Sequence, residues 1–226
     1  MDKLKKIKKV KVMVSLFLVF GLISPALAFS SSPSSPEGMA MVPGGAFLMG
    51  VDKEVNVDTK KMSLRQRLKY AVSREAFHDE GPAHNVVLDP YFIDKYEVSN
   101  KHYGEFMKAT GHPAPAYWDD HKRNTPNQPV SGVNWNDATA YCSWSNKRLP
   151  TEAEWEKAAR GNDGRLWPWG RKFDKGFFFF FVNIFGENDK YAHTAPVNYY
   201  HSGISPFGLY NMAGNVWEWC LDWYDE

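Results

Sequence analysis

Cysteine is scarce in this sequence: the 226 residues include two, Cys142 and Cys220. No Cys-x-x-Cys pair is present, so neither a zinc-finger spacing nor a dithiol redox motif can be drawn. Also missing are His-Glu-x-x-His, a phosphate-cradling glycine loop and a Gly-x-Ser-x-Gly nucleophile turn. The histidines (His78, His84, His102, His112, His121, His193 and His201) stand at no ligand-like spacing from one another. Each is read as a surface or packing residue. There are no internal repeats at solenoid periods.

A long apolar run is lacking too. Val12–Ile23 is almost uninterruptedly apolar, but about 12 residues fall short of the roughly 20 that span a bilayer. The run follows six lysines and one aspartate in Met1–Lys11 and precedes Ala26-Leu27-Ala28. That is the layout of a secretory signal peptide over residues 1–28, with small residues at the cleavage positions. A secreted or periplasmic location is expected, with no stable membrane span after cleavage. Removing the six lysines and Asp2 leaves 21 basic against 25 acidic residues, near −4. No basic stripe remains to neutralise phosphates, so nucleic acid is not an expected partner.

Aromatic residues, in contrast, are plentiful: 15% of the chain, with nine Trp. They fill large cores or line binding surfaces. In an exported protein the two cysteines can pair with each other or with other partners, and spacing does not choose.

Residues 29–37, "FSSSPSSPE", form a Ser/Pro linker, and one domain is expected over 38–226. "MAMVPGGAFLMG" reads as strand bent at Pro43-Gly44-Gly45. "SLRQRLKYAVSREAF", within the polar stretch 51–83, reads as a helix. "HNVVLDPYFIDKYEVSN" returns to strand. Ser99 is a helix cap, Tyr103, Phe106 and Met107 share a face, and Gly111 ends that helix. Asn134 with Asp137 caps a second helix, whose Ala138, Tyr141 and Cys142 face inward. Thr151 with Glu154 is a capping box for a third, with Trp155, Ala158 and Ala159 as its buried stripe and Gly161 at its end. The run Phe177–Phe181 fits neither strand alternation nor a helical stripe; a buried strand and a reading-frame slip both remain open.

Two loops are rich in oxygen. "VNIFGENDKY" supplies Asn183 and Asp189, and "AGNVWEW" supplies Asn215 and Glu218. Calcium takes six to eight such oxygens on curved backbone. The same residues also make ordinary turns, satisfying their own backbone. In "NVWEW" the alternation suggests a strand, with Glu218 opposite Trp217 and Trp219. A carboxylate so placed needs a cation, an arginine or solvent, because burial alone costs several kcal/mol.

Four stretches together, "MVPGGAFLMG", "HNVVLDPYFIDKYEVSNKHYGEF", "PVSGVNWNDATAYCSWSNKRLPTEAEWEKAARG" and "GISPFGLYNMAGNVWEWCLDWYDE", resemble the formylglycine-generating enzyme family, also called the sulfatase-modifying factor domain. The resemblance covers residues 38–226. It implies an α+β fold of the C-type lectin-like kind, one compact domain with much irregular structure. It also implies two structural calcium sites. One falls on Asn183, Asp189 and the carbonyls of Ile184 and Tyr191. The other falls on Asn215 and Glu218 with the carbonyls of Gly214 and Val216, which makes the Trp-Glu-Trp block a calcium-anchored strand packed by its tryptophans.

The enzymes of this family oxidise a cysteine of a sulfatase polypeptide to formylglycine, using O₂ and copper held by a Cys pair. By resemblance that pair follows the Trp-Glu-Trp block, beyond Glu226. Cys142 matches a structural disulfide position of some members and Cys220 matches no catalytic one. No catalytic residue and no copper ligand is therefore assigned, and the chain is expected to be a shortened member, inactive as it stands. Its partner is then a sulfatase-type polypeptide. The alternative is a non-catalytic, calcium-stabilised module that binds a peptide, a glycan or another protein.

Overall fold

The computed structural model describes residues 35–51, 81–171, 182–183 and 190–223. The chain divides into two units, Met1–Ser34 and Ser35–Glu226, and the second is the one described. The expected signal segment, the helix over "SLRQRLKYAVSREAF", the run Phe177–Phe181 and the expected ligands Ile184 and Asp189 lie outside the described residues.

Four short strands open the domain: β1 (Met39–Val42), β2 (Gly45–Met49), β3 (His84–Leu88) and β4 (Tyr91–Asp94). β1 pairs antiparallel with β4 and β2 with β3. Val42 faces Tyr91 and Gly45 faces Leu88, so the two pairs continue one ribbon across a bend at Pro43-Gly44 and Asp89-Pro90. Neither proline can donate to a ladder. The bend is also tight, since a Cβ on Gly44 would stand 2.9 Å from Pro90 Cδ.

Ala40 and Val42, alternate residues of β1, are buried against Ala158, Ala159, Leu209 and Met212. Those alanines belong to the third of three helices: α1 (Asn100–Thr110), α2 (Trp135–Trp144) and α3 (Glu152–Arg160). Each starts where a cap says it should. Ser99 accepts from the His102 amide, and full capping boxes join Asn134 to Asp137 and Thr151 to Glu154. Gly111 ends α1 in the left-handed region, φ 72°. A second core joins α1 to α2 through Tyr103, Phe106 and Tyr141, with Met107, Ala140 and Cys142 partly buried around it. Trp155 is only half-buried, and the closed part of the α3 stripe is Ala158-Ala159.

Lys157, on α3, is fully buried. Its ammonium donates to the Gly45 carbonyl at 2.8 Å and lies 5.9 Å from the centre of the Phe47 ring. Desolvation holds its pKa below the ordinary lysine value.

After Gly161 the described backbone is irregular apart from a single 3-10 turn, His201–Gly203, and an isolated bridge between Trp167 and Gly170. The strand expected across Val216–Leu221 does not form. Asn211, Gly214 and Asn215 all adopt positive φ, at 53°, 81° and 63°. Three left-handed residues in five curl the chain, and a curled chain cannot keep a strand's two-residue alternation. The packing role expected of the tryptophan pair is also corrected: Trp217 is 94% exposed and Trp219 48%. Among the described residues no helix is long and apolar enough to cross a membrane.

Candidate functional site

The curled loop 211–218 is fastened to the rest of the domain through carboxamides. Gly214 presses on the neighbouring segment so closely that a Cβ would stand 2.2 Å from Val182 Cγ2 and 2.3 Å from the Asn183 carbonyl. That proximity lets the Asn215 amide donate to the Asn183 carbonyl at 2.9 Å. The Asn215 side-chain oxygen accepts from Asn183 Nδ2 at 2.9 Å and from the Ala195 amide at 2.8 Å. Its nitrogen donates to both oxygens of Glu97 at 3.0 Å. Asn211 Nδ2 donates to Glu97 Oε2 at 2.7 Å and to the Val197 carbonyl at 3.1 Å.

Glu97 is thus the anchor of the loop. Burial raises its carboxyl well above the usual range, the charge of Glu218 pushes the same way, and the Asn211 and Asn215 amides pull it back. Glu218 is pushed up to about 7 by burial and steadied by the Trp155 indole N–H at 3.0 Å. Glu218 keeps accessible surface although protein crowds it, because it lines a cavity.

Among the described residues, the buried Asn183 Oδ1 and Asn211 Oδ1 have no hydrogen-bond partner, nor has Thr194 Oγ1. Each asparagine is 4% exposed or less and spends its nitrogen on protein acceptors. A buried carbonyl-type oxygen left open costs about 1–3 kcal/mol, and a hard cation is the partner that suits it. At two points, then, an oxygen of the kind calcium takes is open. At the first, Asn183 offers its oxygen. At the second, Asn211 offers the amide oxygen. Asn215, expected there as a ligand, already has its oxygen occupied by two donors, while Glu218 and the Gly214–Val216 backbone share the loop. No group of three His, Cys, Asp or Glu side chains converges among the described residues, so these points rest on amide and carbonyl oxygens with single carboxylates.

Copper fits less well. Cys142, on α2, and Cys220 are both free thiols. Burial raises Cys142, with Asp94 adding to the effect. Cys220 is pushed up to about 11 by burial and by the charges of Glu152, Glu218 and Asp222. Cu(I) selects thiolates, and burial disfavours the thiolate form at both positions. Only Cys142 reaches the cavity.

That cavity measures about 470 Å³ and lies between β4, α1, α2 and the 209–219 loop. Tyr91, Val98, Tyr103, Val133, Leu149 and Met212 give it mostly apolar walls.

Residues 25–226 match the model of the sulfatase-modifying factor enzyme 1-like domain. The chain belongs to this family. It is 36% identical to the formylglycine-generating enzyme of Thermomonospora curvata, over 88% of this chain and 77% of that protein. It is 32% identical to the Bos taurus formylglycine-generating enzyme, over 89% of this chain but 62% of the relative's length. The inactive C-alpha-formylglycine-generating enzyme 2 of Bos taurus is 31% identical over 82% of the chain and 71% of that protein. The crystal structure of CarF superposes with a TM-score of 0.53 at 20% identity, covering 84% of this chain and 82% of the other. That likeness concerns the fold, which is of the expected α+β, sulfatase-modifying factor type.

Sequence reasoning put Asn183 in one site and Gly214, Asn215 and Glu218 in another; the structure joins Asn183 to Asn215 directly, and Glu97 and Asn211 were missed. Nothing local marks Glu97, since its partner Asn215 is 118 residues away. Asn211 carried a signal, an asparagine three residues before a glycine in a turn-rich stretch.

Proposed function

We propose that this protein is an exported, calcium-stabilised member of the formylglycine-generating family whose partner is a polypeptide, and that its own two cysteines do not carry out cysteine oxidation. The observation behind this reading is the state of the thiols: Cys142 and Cys220 are separate, half-buried and raised in pKa. A copper oxidase of this family needs two convergent thiolates. The open oxygens of Asn183 and Asn211 support calcium as the stabilising ion. The Lys-rich, apolar and Ala-x-Ala order of residues 1–28 supports export.

The test is oxygen uptake by the 226-residue chain with copper and a cysteine-containing sulfatase-motif peptide. No turnover above a copper-only control is expected, and sustained conversion of the cysteine to formylglycine would overturn the reading. Intact-mass measurement of exported protein, expected to begin at Phe29, checks the localisation.

A further inference from the structure

We propose that Tyr96 and Tyr210 form a site of oxidative modification. One-electron oxidation of both phenols, by a haem peroxidase acting with hydrogen peroxide, joins the two rings into a dityrosine. The bond fastens the 211–218 loop to the chain just after β4.

The two ring centroids lie 4.8 Å apart, with the planes 41° from each other. The chains that carry the rings are tied on either side. The Tyr210 amide donates to the Lys95 carbonyl at 2.8 Å, and Asn211 Nδ2 donates to Glu97 Oε2 at 2.7 Å. Neither ring drifts away while these bonds hold. Two phenoxyl radicals formed here therefore meet as an intramolecular pair, with the rate advantage of fixed proximity. The Tyr210 phenol also has an acceptor for its proton, since its oxygen stands 2.8 Å from His201 Nδ1. A phenol sheds its proton as it loses its electron, and a base within hydrogen-bond reach of that proton promotes the step. His201 is exposed and returns the proton to water; Tyr96, also exposed, releases its own directly.

Other tyrosine pairs lack one of these features. Tyr191–Tyr199 and Tyr199–Tyr200 are 5.0 Å apart but close to perpendicular, at 79° and 81°. The new bond forms between π lobes that stand normal to each ring, and perpendicular rings do not aim both lobes along one line. Tyr103 and Tyr141 are near parallel, at 19°, but their centroids are 5.8 Å apart. The buried Tyr103 hydroxyl also has no hydrogen-bond partner among the described residues to take its proton.

In the reaction each phenol loses one electron and one proton. The radicals join through the carbons ortho to oxygen, and the hydrogens on those two carbons move to the oxygens, restoring both phenols. The protein loses two hydrogens, and one hydrogen peroxide becomes two waters. This inference goes beyond the proposed function and depends on neither calcium nor cysteine oxidation. Export would bring the chain to such oxidants, but the ring geometry is independent of it.

The test treats the full chain with a haem peroxidase and hydrogen peroxide and follows dityrosine fluorescence. From the monomer fraction, trypsin should release residues 96–101 joined to residues 191–226, two hydrogens lighter than their sum. Fragmentation should place the link at Tyr96 and Tyr210. Tyr96→Phe and Tyr210→Phe should each abolish it and Tyr103→Phe should not, with melting temperatures reporting that all three fold. His201→Leu should slow the coupling at least about tenfold. The linked chain should melt at least about 5 °C above the equally oxidised Tyr96→Phe variant, because a link closing a loop of about a hundred residues restricts the unfolded chain. A link at any other pair, or one that survives Tyr210→Phe, would overturn the proposal. So would the absence of a link while N-acetyltyrosine amide couples in a parallel tube. An unchanged rate in His201→Leu would overturn the proton step, and an unchanged melting temperature the fastening of the loop.

Discussion

Asn183 and Asn215 are joined twice. The side chain of Asn183 donates to Asn215 Oδ1 at 2.9 Å, and the backbone amide of Asn215 returns a bond to the Asn183 carbonyl at 2.9 Å. Thirty-two residues apart in sequence, they tie the segment at Asn183 to the loop 211–218. What one binds, the other must feel.

Calcium should therefore raise the melting temperature. A ligand confined to the folded state stabilises it by about 2.7 kcal/mol at a hundredfold excess over its Kd. Asn211→Ala should reduce the calcium-dependent gain, because it removes a buried oxygen that no group among the described residues uses. Differential scanning calorimetry with calcium and with a chelator measures both effects. An unchanged gain in Asn211→Ala would remove that residue from the ion's shell.

Gly214→Ala should destabilise the domain severely. The new methyl meets Val182 and the Asn183 carbonyl at under 3 Å, and φ is 81°. Left-handed backbone and overpacking together cost roughly 2–4 kcal/mol. Gly208→Ala is the control: its φ is 86° but the space beside it is open, so only the backbone part, roughly 1–2 kcal/mol, applies. Urea unfolding midpoints should separate the two variants.

Acid should weaken the start of α3. The Arg148 side chain, helped by the Thr151 amide, holds the Glu154 carboxyl below its ordinary value of 4.5. A depressed carboxylate contributes stability that is complete above the unfolded value and is lost as pH falls through the folded one. Glu154→Gln should therefore flatten the fall in melting temperature below about pH 4.5. A variant with the same acid profile as the parent would show that the pair contributes nothing.

The thiols should be sluggish. With Cys220 pushed up to about 11, alkylation by iodoacetamide near neutral pH should run at least roughly tenfold slower than for a free thiol, after allowing for the higher nucleophilicity of a more basic thiolate. Mass-resolved labelling rates for Cys142 and Cys220 check this. A fast Cys220 would argue for an opened C-terminal loop.

The legible parts of this fold are those that sequence neighbours decide. Ser99, Asn134–Asp137 and Thr151–Glu154 act over three residues, so the starts of their helices could be placed. The ribbon's bend could be read on the β1–β2 side because Pro43 and Gly44 act on their own backbone. The loop after Leu209 was misread because its apolar alternation favoured a strand, while the left-handed Asn211, Gly214 and Asn215 decided the backbone. The tie to Glu97 was invisible, since a hydrogen bond across 118 residues leaves no local trace. The exposure of Trp217 had the same origin, because hydrophobicity says that a side chain prefers cover and not whether cover is present.

Lys157 offers one more use. An amine sealed between α3 and β2, with its protons on the Gly45 carbonyl, is closed to acylating reagents until those two elements part. Amine-labelling chemistry would thus mark surface lysines at once and Lys157 only when the domain opens. One residue then times the unfolding of the whole domain in any mixture in which the protein can be digested and weighed.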